Sequence, residues 1–245
     1  MNQVVAIIPA RLGSTRFPGK VLADRTGHPL IWHVWAAARR ACGRVVVAAD
    51  DARVVEVVRG FGGECVLTRQ DHPNGSSRLA EAATLLSLPD DSLVVNVQGD
   101  EPEIEPGVIN AAAEAACRPG VHAGTVASPL GAGDDPADPN LVKVVLAENG
   151  GALYFSRAAI PHFRATGGPA RVLRHVGIYA YRASFLRTYV GLAPTPLEET
   201  EVLEQLRILE HGYRIGVVIH ACTPQGIDTP GQYEAFVARW HAANG

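Results

Sequence analysis

Lysine is almost missing from this 245-residue chain. Of 22 basic residues only Lys20 and Lys143 are lysines, and the other twenty are arginines. The imbalance reads as the mark of a GC-rich genome, and it makes each lysine stand out. Cysteine is sparse: Cys42, Cys65, Cys117 and Cys222 lie far apart with no CxxC pair. That spacing excludes a zinc site and a dense disulfide framework, so the four read as small buried hydrophobes of a reducing compartment. Long apolar runs are also absent. None approaches the roughly 18 residues of a membrane span. The apolar run Val4–Ile8, closed by Pro9, is too short for the core of a signal peptide. The expectation is a soluble, cytoplasmic protein with no membrane partner. Excess charge of one sign is lacking too, with a net charge of −3 and no run of five like charges. This excludes a chain that coats nucleic acid, which needs a basic face, and with 47% hydrophobic residues it excludes disorder. No GxGxxG follows the first apolar run and no GxSxG occurs, so neither a dinucleotide fingerprint nor a hydrolase elbow is present.

What is present is an alternation of short apolar runs and helical patterns. Val4–Ile8, Val45–Ala49, Glu64–Leu67 and Leu93–Val97 read as strands. Between them Leu30–Cys42, Val54–Val58 (ending at Gly60) and Ser77–Leu86 read as helices. Runs apolar on both faces and separated by helices predict a mostly parallel, doubly wound α/β sheet. The second half reads differently. Val121–Leu130, Val142–Leu146, Ala152–Phe155 and His175–Tyr181 are strands with few helices between them, which predicts a mixed or antiparallel extension. Leu197–Leu209 reads as one helix, followed by a strand at Ile215–His220 and a terminal helix from Pro230. Gly131–Asn140 is a loop rather than a boundary, so residues 1–245 form one domain. Its halves are residues 1–120 and 121–245.

Ligands of open α/β sheets gather beyond the carboxyl ends of the strands, so the residues after Ile8, Ala49 and Val97 come first. After Ile8 the chain reads Pro9-Ala10-Arg11-Leu12-Gly13-Ser14-Thr15-Arg16-Phe17-Pro18-Gly19-Lys20. Three cations, two hydroxyls and glycines that let the backbone approach an anion suit a polyphosphate. It is not a Walker A loop, because five residues separate Gly13 from Gly19 and Val21 stands where a Mg²⁺-binding hydroxyl is required. After Val97 comes Gln98-Gly99-Asp100-Glu101-Pro102, and later Gly226-Ile227-Asp228-Thr229-Pro230. Each Asp read alone could equally cap a turn. Together with the cationic loop they suggest a metal–triphosphate site.

These segments closely resemble the 3-deoxy-manno-octulosonate cytidylyltransferases (CMP-KDO synthetases). The likeness continues through Asn140–Val145, Tyr154–Arg157, Arg174–Tyr179, Pro196–Glu198, Leu203–Arg207 and Gly226–Pro230. The resemblance implies a nucleotidyltransferase-type, Rossmann-like fold, a homodimer and Mg²⁺, with 1–120 as the CTP-binding half and 121–245 as the half for sugar-acid binding and dimerisation. It also implies transfer of CMP from CTP to the anomeric 2-hydroxyl of KDO, for lipopolysaccharide biosynthesis. By position Arg11 and Lys20 would hold the triphosphate, supported by Ser14 and Arg16. Pro9, Ala10, Ser76 and Arg78 would complete the CTP side. Asp100 and Asp228 would be the Mg²⁺ ligands. Gln98, Arg157, His175, Tyr179, Glu204 and Gln205 would line the sugar-acid pocket.

His175, Tyr179 and Gln205 have a competing reading as packed strand and helix residues. One segment departs from the family pattern. Asn74-Gly75-Ser76-Ser77-Arg78 lacks the acidic residue expected at 77, and the loop between Pro161 and Arg171 is short. The departure leaves open CMP transfer to another acidic acceptor, such as an amino-KDO, another ulosonic acid or a phosphonate. A silent nucleotide-binding protein would be expected to lose Asp100, Asp228 or Lys20, and all three are present.

Overall fold

The computed structural model describes residues 4–164, 171–223 and 225–244. The expected short loop at 161–171 therefore falls largely outside the described residues.

Strand β1 (Val4–Ala10) has Val5, Ala6, Ile7 and Ile8 fully buried, because helices cover both faces of the sheet around it. It pairs in parallel with β2 (Arg44–Ala49) on one side and with β4 (Leu93–Asn96) on the other. Beyond β2 lies the parallel strand β3 (Glu64–Leu67). Helices α1 (Leu30–Arg39), α2 (Ala52–Gly60) and α3 (Gly75–Leu85) join these strands. After them come α4 (Pro106–Ala116), β5 (Ala123–Pro129), β6 (Lys143–Leu146), β7 (Ala152–Ser156) and β8 (Leu173–Arg182). The chain closes with α5 (Ala183–Val190), α6 (Pro196–Glu201), α7 (Gln205–Glu210), β9 (Ile215–Ile219) and α8 (Pro230–Asn244).

The sheet runs β3-β2-β1-β4-β8-β5-β9, with β6 and β7 attached beside β8. From β4 onward it is mixed: β8 is antiparallel to both β4 and β5, while β9 is parallel to β5. Alternate residues of each strand feed two cores. Ala6, Ile8, Val45, Val47 and Val95 pack under α1, α2 and α4, while Val5, Ile7, Val46 and Val94 pack under α3 and α5. A third cluster, Leu30 with Ile227, Tyr233 and Phe236, seats α8 against α1. Strand order turns back between β1 and β4, which makes the crevice at their carboxyl ends the switch point where ligands bind in such sheets.

Three readings need correction. Helices α4 and α5 were not expected from the sequence. The alanine-rich α4 buries Val108, Ile109, Ala111, Ala112, Ala115 and Ala116, so its polar periodicity is weak, although Pro106 at its first turn is a start signal. The single helix expected at 197–209 is two, broken where Val202 adopts φ 53°. A β-branched residue is costly in that region, so the break is held by its surroundings. Of the cysteines, Cys42 and Cys65 are buried, but Cys117 is exposed and Cys222 half-buried.

Candidate active site

Two adjoining clefts open at the switch point. The first, of about 380 Å³, is lined by Pro9, Arg11, Gly13–Arg16, Lys20, Val21, Gly75, Gln98–Asp100 and Asp228. The second, of about 290 Å³, is lined by Gly75, Ser76, Asn96, Gln98, His175, Gly177, Tyr179, Tyr181, Tyr189 and Val202–Gln205. Gly75 and Gln98 belong to both walls, so the two clefts meet there.

The first cleft is built of charge. The loop leaving β1 turns through Gly19 at φ 71°, a conformation glycine adopts without strain, and delivers the mostly buried Lys20. Lys20 Nζ donates to Asp100 Oδ2 at 3.0 Å, to Asp228 Oδ1 at 3.4 Å and to the Ile227 carbonyl at 2.6 Å. Arg16 Nη2 reaches Asp228 Oδ2 at 3.0 Å from an exposed position. The turn after β4 comes this close because Gly99 has no Cβ. An added one would lie 2.5 Å from the Pro9 carbonyl oxygen. Ile227 N–H donates to the Asp100 carbonyl at 2.8 Å, which locks the two Asp-bearing turns together.

The carboxylates of Asp100 and Asp228 thus already share one cation. Among the described residues no group of three or more His, Cys, Asp and Glu gathers around a common point. Mg²⁺ is satisfied by one or two carboxylates when phosphate oxygens and water complete its shell, so the two residues fit that ion.

The second cleft is mostly neutral and aromatic. Strand β8 runs antiparallel to β4 with Asn96 opposite Tyr179, and its earlier residues continue past the end of β4 to form a wall. Asn96 Oδ1 and Tyr179 Oη are buried without a partner among the described residues. Burial pushes the Tyr179 and Tyr181 hydroxyls well above their ordinary values, and lowers His175 to about 3, so the imidazole is neutral. Thr125 Oγ1 has one proton, which goes to the Ile178 carbonyl at 2.6 Å. His175 Nε2, 3.0 Å from Thr125 Oγ1, is therefore the donor to that hydroxyl, and Nδ1 is left as acceptor. Burial also raises the carboxyl of Glu204, with Arg207 opposing. The break at Val202 is what turns Glu204 and Gln205 toward the cleft.

The structure brings Pro9, Arg11, Ser14, Arg16, Lys20, Asp100 and Asp228 to the first cleft and Ser76, Gln98, His175, Tyr179, Glu204 and Gln205 to the second, with Gln98 shared. Three expected residues lie elsewhere. Ala10 is fully buried in β1. Arg78 is fully buried behind the loop, donating from Nη1 to Thr68 Oγ1 and the Arg69 carbonyl. Arg157 lines neither cleft, because its guanidinium donates to the carbonyls of Glu201, Pro139 and Val202 at 2.7, 2.9 and 3.2 Å. It braces the turn that carries Glu204 and Gln205. The second lysine, Lys143, is likewise internal, donating to the Asp138 and Arg157 carbonyls. Asn96, Tyr181 and Tyr189 were missed, since buried strand and helix residues carry no sequence signal for a pocket.

The cytidylyltransferase family model matches residues 5–215. The 3-deoxy-manno-octulosonate cytidylyltransferase of Syntrophobacter fumaroxidans (strain DSM 10017 / MPOB) is 51% identical over 240 residues, 96% of each chain. Its counterpart in Acidovorax sp. (strain JS42) is 49% identical over 248 residues, covering 93% of this chain and 94% of that one. A solved CMP:2-keto-3-deoxy-manno-octonic acid synthetase complexed with CTP superposes with a TM-score of 0.90 at 40% identity, covering 99% of this chain and 100% of that one. A nucleotidyl transferase from Methanothermobacter thermautotroptrophicus, at 18% identity and a TM-score of 0.62, shares the fold.

Proposed function

The chain belongs to the cytidylyltransferase family, and we infer that it transfers CMP from CTP to the anomeric 2-hydroxyl of 3-deoxy-D-manno-octulosonate (KDO). The products are CMP-KDO and pyrophosphate, and the reaction serves lipopolysaccharide biosynthesis. The observation that carries the reading is the meeting of a charged cleft and a neutral, hydroxyl-seeking cleft at Gln98 and Gly75.

Arg11, Arg16 and Lys20 would take the triphosphate, offsetting most of its charge. Lys20 would trade its bonds to Asp100 and Asp228 for phosphate oxygens as the nucleotide enters. Those carboxylates would then hold Mg²⁺, which supplies charge neutralisation at the triphosphate and lowers the pKa of an attacking hydroxyl. KDO would fill the second cleft. There the Tyr179 hydroxyl can donate to a sugar oxygen, while Asn96 Oδ1 and His175 Nδ1 accept from sugar hydroxyls. Gln98 at the shared wall would orient the 2-hydroxyl toward the α-phosphorus, with pyrophosphate leaving toward Lys20. Phosphoryl-type transfer needs in-line placement and charge neutralisation rather than a covalent protein intermediate.

The reading with another acidic acceptor rested on Ser77. Its N–H donates to Asn74 Oδ1 and its hydroxyl to the Asn74 carbonyl, so the residue is spent on capping α3. The change there therefore lends no support to a different acceptor.

In the same reading the enzyme works as a homodimer in the cytoplasm. Leu153 on β7, 62% exposed, is an apolar side chain that such a contact would cover. No described helix is long and apolar enough to cross a membrane. The test is pyrophosphate release from CTP and Mg²⁺ with and without KDO. Release that depends on KDO is expected, and release only with a different acidic acceptor would overturn the assignment.

A further inference from the structure

Leu12 is the point at which the cationic loop is held to the sheet. Its carbonyl accepts from Gly19 N–H at 3.1 Å, which closes residues 12–19 into a ring with Arg11 at one exit and Lys20 at the other. Its N–H donates to Asp50 Oδ1 at 2.9 Å. Asp50 also donates its own N–H to the Ala10 carbonyl at 3.2 Å. One residue at the end of β2 therefore grips the chain on both sides of Arg11.

The Asp50 side chain is only 12% exposed, and its second oxygen faces Arg78 Nη2 at 3.9 Å. Arg78 is fully buried and anchored through Nη1 to Thr68 Oγ1 at 2.6 Å and the Arg69 carbonyl at 3.0 Å. Thr68 in turn donates through Oγ1 to the Ala49 carbonyl at 2.9 Å, so the ends of β2 and β3 and the first turn of α3 meet in one network. That approach is a charge attraction beyond hydrogen-bond distance, and it draws the second oxygen of Asp50 toward the buried guanidinium.

We propose that Asp50 is a positioning residue for the nucleotide, clamping Leu12 so that Arg11 and Lys20 are presented together, with Arg78 holding the carboxylate toward the loop. The proposal rests on the reading that this loop binds the triphosphate of CTP. A free loop would have to be ordered by the ligand, and that cost appears as lost affinity for CTP. Affinity for the acceptor, bound on the far side of Gln98, is untouched. A merely structural Asp would instead lower the melting temperature and both substrate affinities alike.

The experiment measures CTP affinity by calorimetry with Mg²⁺, the KM for KDO at saturating CTP, and thermal melting. Asp50→Ala is expected to bind CTP about thirtyfold more weakly, the loss typical of a hydrogen bond to a charged acceptor, with the KM for KDO within about twofold of wild type. Asp50→Asn keeps an acceptor oxygen for Leu12 but loses the charge that faces Arg78, and is expected to bind CTP only about fivefold more weakly than wild type. Asp50→Glu keeps the charge but moves the oxygen, and weakened CTP binding there gives the same result should the alanine variant not fold. Wild-type CTP affinity in a folded Asp50→Ala protein would overturn the clamp alone, as would an equal loss in Asp50→Asn. No CTP binding by the wild-type protein would overturn the clamp and the CTP reading together.

Discussion

The two clefts solve different binding problems with different chemistry. The cleft at the ends of β1 and β4 pairs Lys20 with Asp100 and Asp228 and Arg16 with Asp228, and Arg11 adds a further cation to its wall. Any ligand there must exchange ion pairs. The cleft walled by β8 and the α6–α7 turn holds a neutral His175 and leaves Asn96 Oδ1 and Tyr179 Oη unpartnered among the described residues. A ligand there meets hydroxyl, amide and imidazole groups rather than ion pairs. Removing a charge from the first cleft should therefore cost turnover or CTP binding, while single changes in the second should cost affinity for the acceptor.

The sharpest test of the contrast is Asp100→Asn, which removes a charge from the shared cation position. Turnover should fall about a thousandfold with the circular dichroism spectrum unchanged, since several kcal/mol of metal-assisted charge stabilisation is lost. Near-normal turnover would take Asp100 out of the metal site. Next comes Lys20→Ala, expected to weaken CTP binding about a hundredfold while the KM for KDO moves less than about threefold, as truncating a buried, hydrogen-bonded charge does. Equal effects on both substrates would erase the division between the clefts.

Arg157→Ala should raise the KM for KDO about tenfold and lower the melting temperature, because three carbonyls of the 139 and 201–202 segments lose their donor. Loss of CTP affinity instead would mean that the turn serves the wrong cleft. Tyr179→Phe should raise the KM for KDO about fivefold without lowering the melting temperature, since among the described residues the hydroxyl has no hydrogen-bond partner.

The smallest effect concerns pH. His175, lowered to about 3, and His33, lowered to about 4, both by burial, bind fewer protons folded than unfolded below pH 6.5. Their contribution is fully present above about pH 6.5 and is lost as pH falls toward 4. Denaturant titrations from pH 7 to 4 should show this slope, and His175→Gln should flatten it. An unchanged slope would remove His175 from the titration.

Much of the charged cleft was legible beforehand because its residues follow strands in short, glycine-bearing loops, where local sequence and function coincide. Arg11, Lys20, Asp100 and Asp228 could be named from the chain alone. Asp50 had a signal as well, since it stands directly after a buried strand at the end of the sheet where ligands gather. The neutral cleft was less legible. Its residues come from β4, β8, α3, α5 and the 202–205 break, each of which reads locally as ordinary packing. Arg157 illustrates the limit: nothing in its flanking residues tells whether a guanidinium faces a substrate or three backbone carbonyls.

The alternation of apolar runs and helices dictated a parallel sheet in the first half, because only strands buried on both faces need such runs. The loop composition likewise put three cations at the end of β1, and they line one cleft. Tertiary structure alone decided that β8 would lie antiparallel between β4 and β5, and that Val202 would break a helix whose local pattern was continuous. Strand pairing and a strained backbone are paid for by contacts between segments far apart in the chain, and no local pattern records those contacts.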